Sequence, residues 1–273
     1  MFVDRLIERV KETNNPSVAG LDPKIEYVPE SLRNEFFREY GFNLEGAAKA
    51  LLEFNRRIID SLCDIVPAVK LQLAYYEMYG TEGIRTFKET LEYARQKGMI
   101  TIADGKRNDI GSTAQSYSAA YLGEAGLGEG TLCSVFDADA LTVNPYLGYD
   151  GIKPFLDDCE KYGKGIFILV KTSNESSGQL QDLVTSDGRR IYEVVAELIE
   201  NWGSSLRGKY GYSSVGAVVG ATYPQQAKVL RKLLKHSYIL VPGYGAQGGT
   251  AEDAALSFDK GILGAVVNAS RSI

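Results

Sequence analysis

The chain reads as an α/β protein that closes into a single (β/α)8 (TIM) barrel, with an extra helix in its first βα connection and no clear eighth helix. Three observations predict this. Eight short apolar, β-branched runs alternate with longer amphipathic segments, the pattern of parallel strands joined by crossover helices. The 273 residues are 44% hydrophobic and 24% charged with no low-complexity tract, so a large core can be buried and one domain over residues 1–273 is expected. Nearly every run also ends in a polar or Gly-rich signature, and the C-terminal ends of strands are where barrels carry catalytic groups.

The elements follow in order. Met1–Val10 is an amphipathic helix without the apolar core and small-residue cleavage site of a signal peptide. The first run, Val18–Leu21, leads into Gly20-Leu-Asp22-Pro23, which lacks the Gly-rich first turn usual in an open doubly wound sheet. The long Pro23–Pro67 connection holds the extra helix at Pro29–Tyr40 and then the helical pattern Ala47–Leu62. The next runs are Ala68–Leu73, Met99–Asp104, Ala140–Asn144, Gly165–Val170, Val215–Val219, Tyr238–Val241 and Gly264–Asn268. Apolar residues at three- and four-residue spacings predict helices over Gly83–Lys97, Ser112–Gly123, Gly151–Tyr162, Ile191–Leu206 and Gln225–Leu234. Lys171–Arg190 is a second long connection, rich in Ser, Asn, Asp and Gly, and long βα loops belong to the active-site face. Five residues follow the last run, so either the barrel is open there or the natural chain continues.

Charge and composition exclude several functions. The net charge is −5 and no Lys/Arg cluster has the density of a nucleic-acid or anionic-membrane footprint. A small phosphorylated ligand is still allowed, because it needs only a few cationic groups and backbone N–H donors. No stretch approaches the 18 apolar residues of a membrane span, and a cytoplasmic protein is expected. Cys63, Cys133 and Cys159 share no CxxC or CxxH spacing, which argues for free thiols and against a disulfide framework or a metal site. The single histidine, His236, reads as a surface residue at a helix end, with no paired partner that would make it a triad base or ligand.

The third run carries the chemistry. It ends Asp104-Gly-Lys106-Arg-Asn-Asp109-Ile110, and residues two apart on a strand share a face, so Asp104 and Lys106 project together. A carboxylate beside an ammonium keeps both ionised and offers a positioned proton donor; alone, the pair also fits a structural salt bridge. Lys70 near the end of the second run and Asp22 after the first add charge where a purely structural strand end would be apolar. After the seventh run, Val241-Pro-Gly-Tyr-Gly-Ala-Gln247-Gly-Gly249 offers close backbone approach and a side-chain donor, and Arg271 after the eighth can hold an anion in a bidentate fork. Barrels often bind phosphate at that place. Ser173 sits in a loop that also reads as merely solvated, and Asn144-Pro-Tyr reads equally as a strand-ending turn and as a wall of a pocket.

Asp104-x-Lys106-x-x-Asp109-Ile110, preceded by Lys70 and Asp22 in the expected strand order, resembles the orotidine 5'-monophosphate decarboxylase family, in its longer bacterial branch. The resemblance extends over essentially the whole chain. It implies cofactor-free removal of carbon dioxide from orotidine 5'-monophosphate to give uridine monophosphate, with no metal. It casts Lys70, Asp104, Lys106 and Asp109 as the catalytic charges and Asp22, Thr113, Ser173, Gln247 and Arg271 as substrate-binding residues. Ser173 would meet the pyrimidine, and Gln247 and Arg271 the phosphate. The resemblance further implies a homodimer in which Asp109 and Thr113 come from the opposite subunit. Two rivals remain: a magnesium-dependent sugar-phosphate decarboxylase or aldolase of the same superfamily, and a non-catalytic nucleotide-binding barrel. The first would hold its magnesium with an acidic residue near the end of the second strand, a place taken here by Lys70, whose ammonium would repel the metal.

Overall fold

The computed structural model describes residues 1–259 and 261–271. Eight parallel strands close on themselves: β1 Ser17–Leu21, β2 Ala68–Gln72, β3 Ile100–Arg107, β4 Ala140–Val143, β5 Gly165–Lys171, β6 Ser213–Val219, β7 Ser237–Val241 and β8 Ala265–Ala269. Each pairs with its neighbours in sequence, and β8 returns to β1 through Ser17↔Val267 and Val18↔Asn268, which leaves the barrel without an edge.

The helices are α1 Phe2–Thr13, α2 Glu30–Tyr40, α3 Leu44–Leu62, α4 Ala74–Glu77, α5 Gly80–Gln96, α6 Gly111–Tyr121, α7 Tyr149–Tyr162, α8 Gly178–Gln181, α9 Ile191–Trp202, α10 Pro224–Leu233 and α11 Ala251–Ala255. The expected extra helix of the first connection is α2, which packs with Leu32 against Ala47, Ala50 and Leu51 of α3. Asn43 caps α3 by accepting the Gly46 N–H at 3.0 Å, and Pro224 opens α10, where its missing N–H costs nothing.

Alternation along the strands makes two apolar layers. Outward residues such as Val69, Leu71, Leu141, Ile166, Ile168 and Val215 pack under the helices. Inward residues such as Val18, Ala68, Ile100, Ile102, Phe167 and Val266 fill the barrel. Helix α1 closes the N-terminal end. Its Phe2, Val3, Leu6, Ile7 and Val10 are buried, and the Phe2 ring meets Phe167 edge-on with centroids 5.9 Å apart. A Cβ on Gly165 would lie 2.1 Å from the Phe2 ring, so that strand must begin with glycine for the plug to seat.

The structure departs from the expected elements in several places. β3 continues past Asp104 to Arg107, which puts Lys106 inside the strand. The helix expected over Ile191–Leu206 ends at Trp202, and a separate 3-10 turn follows at Ser204–Leu206. After α6 an exposed antiparallel hairpin, Ala125–Gly128 with Thr131–Cys133, stands where no strand was expected; with all but Ala125 exposed, it has no burial rhythm to read. His236, at the end of the α10 connection, has its Nδ1 2.9 Å from Glu200 Oε2. Cys63, Cys133 and Cys159 are all free, and burial pushes the Cys159 thiol far above its ordinary range.

Candidate active site

The inward files of side chains change from apolar to polar at one level of the barrel. In β2 the sequence runs Ala68, Lys70, Gln72; in β3, Ile100, Ile102, Asp104; in β4, Ala140, Thr142; in β8, Val266, Asn268. Above that level opens a cavity of about 560 Å³ at the C-terminal ends of the strands. Leu169, Val218 and Leu240 form an apolar part of its wall; Asp22, Lys70, Asp104 and Lys106 gather on the side of β1 to β3.

Asp104 is the hub. Its Oδ2 accepts from Lys70 Nζ at 2.8 Å and Gln72 Nε2 at 3.1 Å; its Oδ1 accepts from Lys106 Nζ at 2.7 Å and Thr142 Oγ1 at 2.8 Å. Burial favours the protonated carboxyl, but the Lys70 and Lys106 ammonium groups outweigh it and hold Asp104 well below the usual carboxylate range. Burial likewise pushes Lys70 down, yet Asp104 and Asp22 more than compensate and its ammonium is held above the ordinary lysine value. Lys70 is 4% exposed and Lys106 is exposed toward the cavity, so one lysine is locked and the other free to meet a ligand.

Asp22 lies 3.7 Å from Lys70 and accepts from Ser270 Oγ at 2.7 Å, while Asn268 Nδ2 donates to that same Ser270 oxygen at 3.3 Å. Asp22 Oδ1 and Asn268 Oδ1 are buried acceptors without a hydrogen-bond partner, in side chains that line the cavity. Unpaired buried acceptors suit hydroxyl donors of a ligand.

The far wall is made by loops. Ser173 Oγ donates to Gln247 Oε1 at 2.7 Å, joining the loops after β5 and β7, and Thr222 Oγ1 donates to the Ser173 carbonyl at 3.1 Å. A Cβ on Gly220 would stand 2.9 Å from the Ser173 backbone, so a glycine there lets the loop seat. The β5 loop is anchored by Lys171, which is fully buried: its Nζ reaches Asp182 Oδ1 and Oδ2 at 2.9 and 3.0 Å and Ser177 Oγ at 3.1 Å, and lies 4.3 Å from the Tyr223 ring centroid. Arg271 lines the cavity from the end of β8.

Asp22, Lys70, Asp104, Lys106, Ser173, Gln247 and Arg271 are thus brought to one cavity from six strand ends. Asp109 and Thr113 are not among its walls. Asp109 accepts its neighbour's Ile110 N–H at 2.8 Å, and Thr113 is exposed on the first turn of α6. Asn144 also stands outside, where its Oδ1 accepts the Tyr146 N–H at 3.0 Å as a strand-ending turn does. Sequence reasoning missed Thr142, Gln72 and Asn268. Their signal was a lone polar residue at an inward position of a buried strand, where an unpaired hydroxyl or amide would be costly.

Among the described residues no group of three or more His, Cys, Asp or Glu side chains is placed to hold a metal ion, and no helix is long and apolar enough to cross a membrane.

Fold and site together define a (β/α)8 barrel whose C-terminal mouth carries a buried lysine–aspartate network beside a wall of loops. Comparison with known proteins makes this specific. The chain belongs to the orotidine 5'-phosphate decarboxylase / HUMPS family, whose defining pattern matches residues 41–273. The orotidine 5'-phosphate decarboxylase of Caldicellulosiruptor saccharolyticus is 47% identical over 272 residues, covering 100% of this chain and 88% of the relative. The structure of Leishmania donovani OMP decarboxylase superposes with a TM-score of 0.74 at 29% identity over 99% of this chain and 89% of that one. Leishmania donovani UMP synthase gives 0.76 at 30% identity; the match covers 98% of this chain but only 51% of the synthase.

Proposed function

We propose that the chain is a carboxy-lyase converting orotidine 5'-monophosphate to uridine 5'-monophosphate, the last step in making that pyrimidine nucleotide. The observation that carries the reading is Asp104 held between a locked Lys70 and a cavity-facing Lys106, at distances of 2.8 and 2.7 Å. Family membership supports it independently.

In the proposed reaction the C6–carboxylate bond breaks heterolytically and the electron pair stays on C6 in an orbital the ring cannot delocalise. Lys106 stabilises that charge, delivers its proton to C6 and is reprotonated from solvent; Asp104 keeps it aimed. Fixed charges supply the stabilisation that a cofactor would otherwise provide. Gln247 and Arg271 take the phosphate, Ser173 the pyrimidine, and Asp22 the ribose hydroxyls. Binding energy from the distant phosphate can then be used to order the loops and exclude water at C6.

Asp109 and Thr113, which lie outside the cavity of one chain, are proposed to complete the site of a second copy, making the enzyme a homodimer with shared sites. A single domain and a cytoplasmic location complete the proposal.

The magnesium-dependent rival is disfavoured by Lys70. Its ammonium lies 2.8 Å from Asp104 and 3.7 Å from Asp22, so the carboxylates that would hold the ion already face a cation. The complete Lys70, Asp104 and Lys106 set speaks against a barrel that binds without reacting. The test is loss of orotidine 5'-monophosphate ultraviolet absorbance on adding the protein in excess EDTA. Rapid conversion is expected; turnover only with magnesium and a sugar phosphate would overturn the reading.

A further inference from the structure

We propose that Thr142 is a positioning residue for Lys106, its single hydroxyl fixing both the Asp104 carboxylate and the backbone turn from which Lys106 projects. The inference rests on Lys106 being the proton donor.

It starts from an irregularity in the barrel. The β3–β4 ladder pairs Ile102 with Ala140 and Ala103 with Leu141, then resumes only at Arg107 with Val143. Asp104, Gly105 and Lys106 therefore stand opposite Thr142 alone. Within this bulge Lys106 has φ 47°, the left-handed region that a residue with a Cβ rarely adopts. Such a conformation persists only where its surroundings over-determine it, and it clusters at functional positions.

Thr142 supplies that determination. Its Oγ1 accepts the Lys106 backbone N–H at 3.0 Å, replacing the ladder partner lost in the bulge, and donates its own proton to Asp104 Oδ1 at 2.8 Å. The side chain is 1% exposed and β-branched, so its rotamer is restricted and the hydroxyl has little freedom to turn elsewhere. Lys106 is thus held at both ends. Thr142 grips its amide directly, and the Lys106 ammonium meets Asp104 on the same oxygen that Thr142 orients.

On an undistorted strand Asp104 and Lys106 would share a face; here the pair is made across the bulge, with Lys106 left-handed and its ammonium 2.7 Å from Asp104 Oδ1. The bulge aims Lys106, and Thr142 holds the bulge.

The test compares Thr142→Val, which keeps the shape and removes the hydroxyl, with Thr142→Ser, which keeps the hydroxyl, in the full chain. Turnover of orotidine 5'-monophosphate and affinity for uridine 5'-monophosphate are both measured. A slight misplacement of a reacting group costs on the order of 100-fold, so kcat of Thr142→Val should fall by about that factor, with nucleotide affinity nearly unchanged. Thr142→Ser should recover most of the loss. A valine variant with parental kcat, a serine variant as impaired as valine, or parallel losses of kcat and affinity would each overturn the proposal. If the valine variant does not fold, Thr142→Ala is read against serine in the same way. A parent chain inert toward the substrate overturns the reaction itself, a result distinct from failure of the threonine comparison in an active parent.

Discussion

Replacing Asp104 with Asn removes the charge at the centre of the site while keeping its shape. Lys70 and Lys106 lie 2.8 and 2.7 Å from the carboxylate, so each attraction is about 6 kcal/mol at an effective dielectric constant of about 20. Desolvation offsets much of this. Removing one partner from a buried ionic arrangement typically costs about 3–5 kcal/mol, and a loss of that size is expected at pH 7 because buried Lys70 keeps only Asp22, 3.7 Å away. The pH dependence follows from the sign of the shift. Because the folded-state value of Asp104 is depressed, its stabilisation is fully present above the unfolded carboxylate value of about 3.9 and is lost as pH falls through the lower folded value. Urea unfolding of parent and Asp104→Asn from neutral pH downward should therefore give stability curves that converge below about pH 4. A difference that stays constant or widens as the pH drops would refute the electrostatic account, since other carboxylates contribute equally to both proteins.

Two further outcomes test the rest of the site. Arg271→Ala should weaken binding of uridine 5'-monophosphate by about 2–5 kcal/mol while leaving uridine affinity nearly unchanged in calorimetry, and equal losses for both would remove the phosphate role. Lys106→Ala and Asp109→Ala should each be inactive alone but regain substantial activity when mixed and allowed to exchange subunits, because one hybrid site has all its native residues. A mixture as inactive as its components would contradict sites shared across a dimer.

Most of the barrel was legible in the sequence because parallel strands buried on both sides leave continuous apolar runs, and all eight appear where those runs stand. The site was legible where a charged residue interrupts a strand end, as at Lys70, Asp104 and Lys106. Strand alternation put Asp104 and Lys106 on one face, but they meet through a bulge and a left-handed Lys106, which no periodicity reports. Thr142 and Gln72 were hidden for a different reason: each shows in the sequence only as a lone polar residue at an inward strand position, and its role becomes specific when four donors are seen converging on one carboxylate. The hairpin after α6 went unseen because its strands, apart from half-buried Ala125, are exposed, and the short α11 because one turn and a half carries too little spacing to read.

The central claim is that Lys106 is the proton donor at C6, and the direct measurement is single-turnover decarboxylation by Lys106→Ala beside its affinity for uridine 5'-monophosphate. The account predicts a fall in rate of about 10²- to 10⁴-fold or more with the product still bound. Turnover near that of the parent would contradict it.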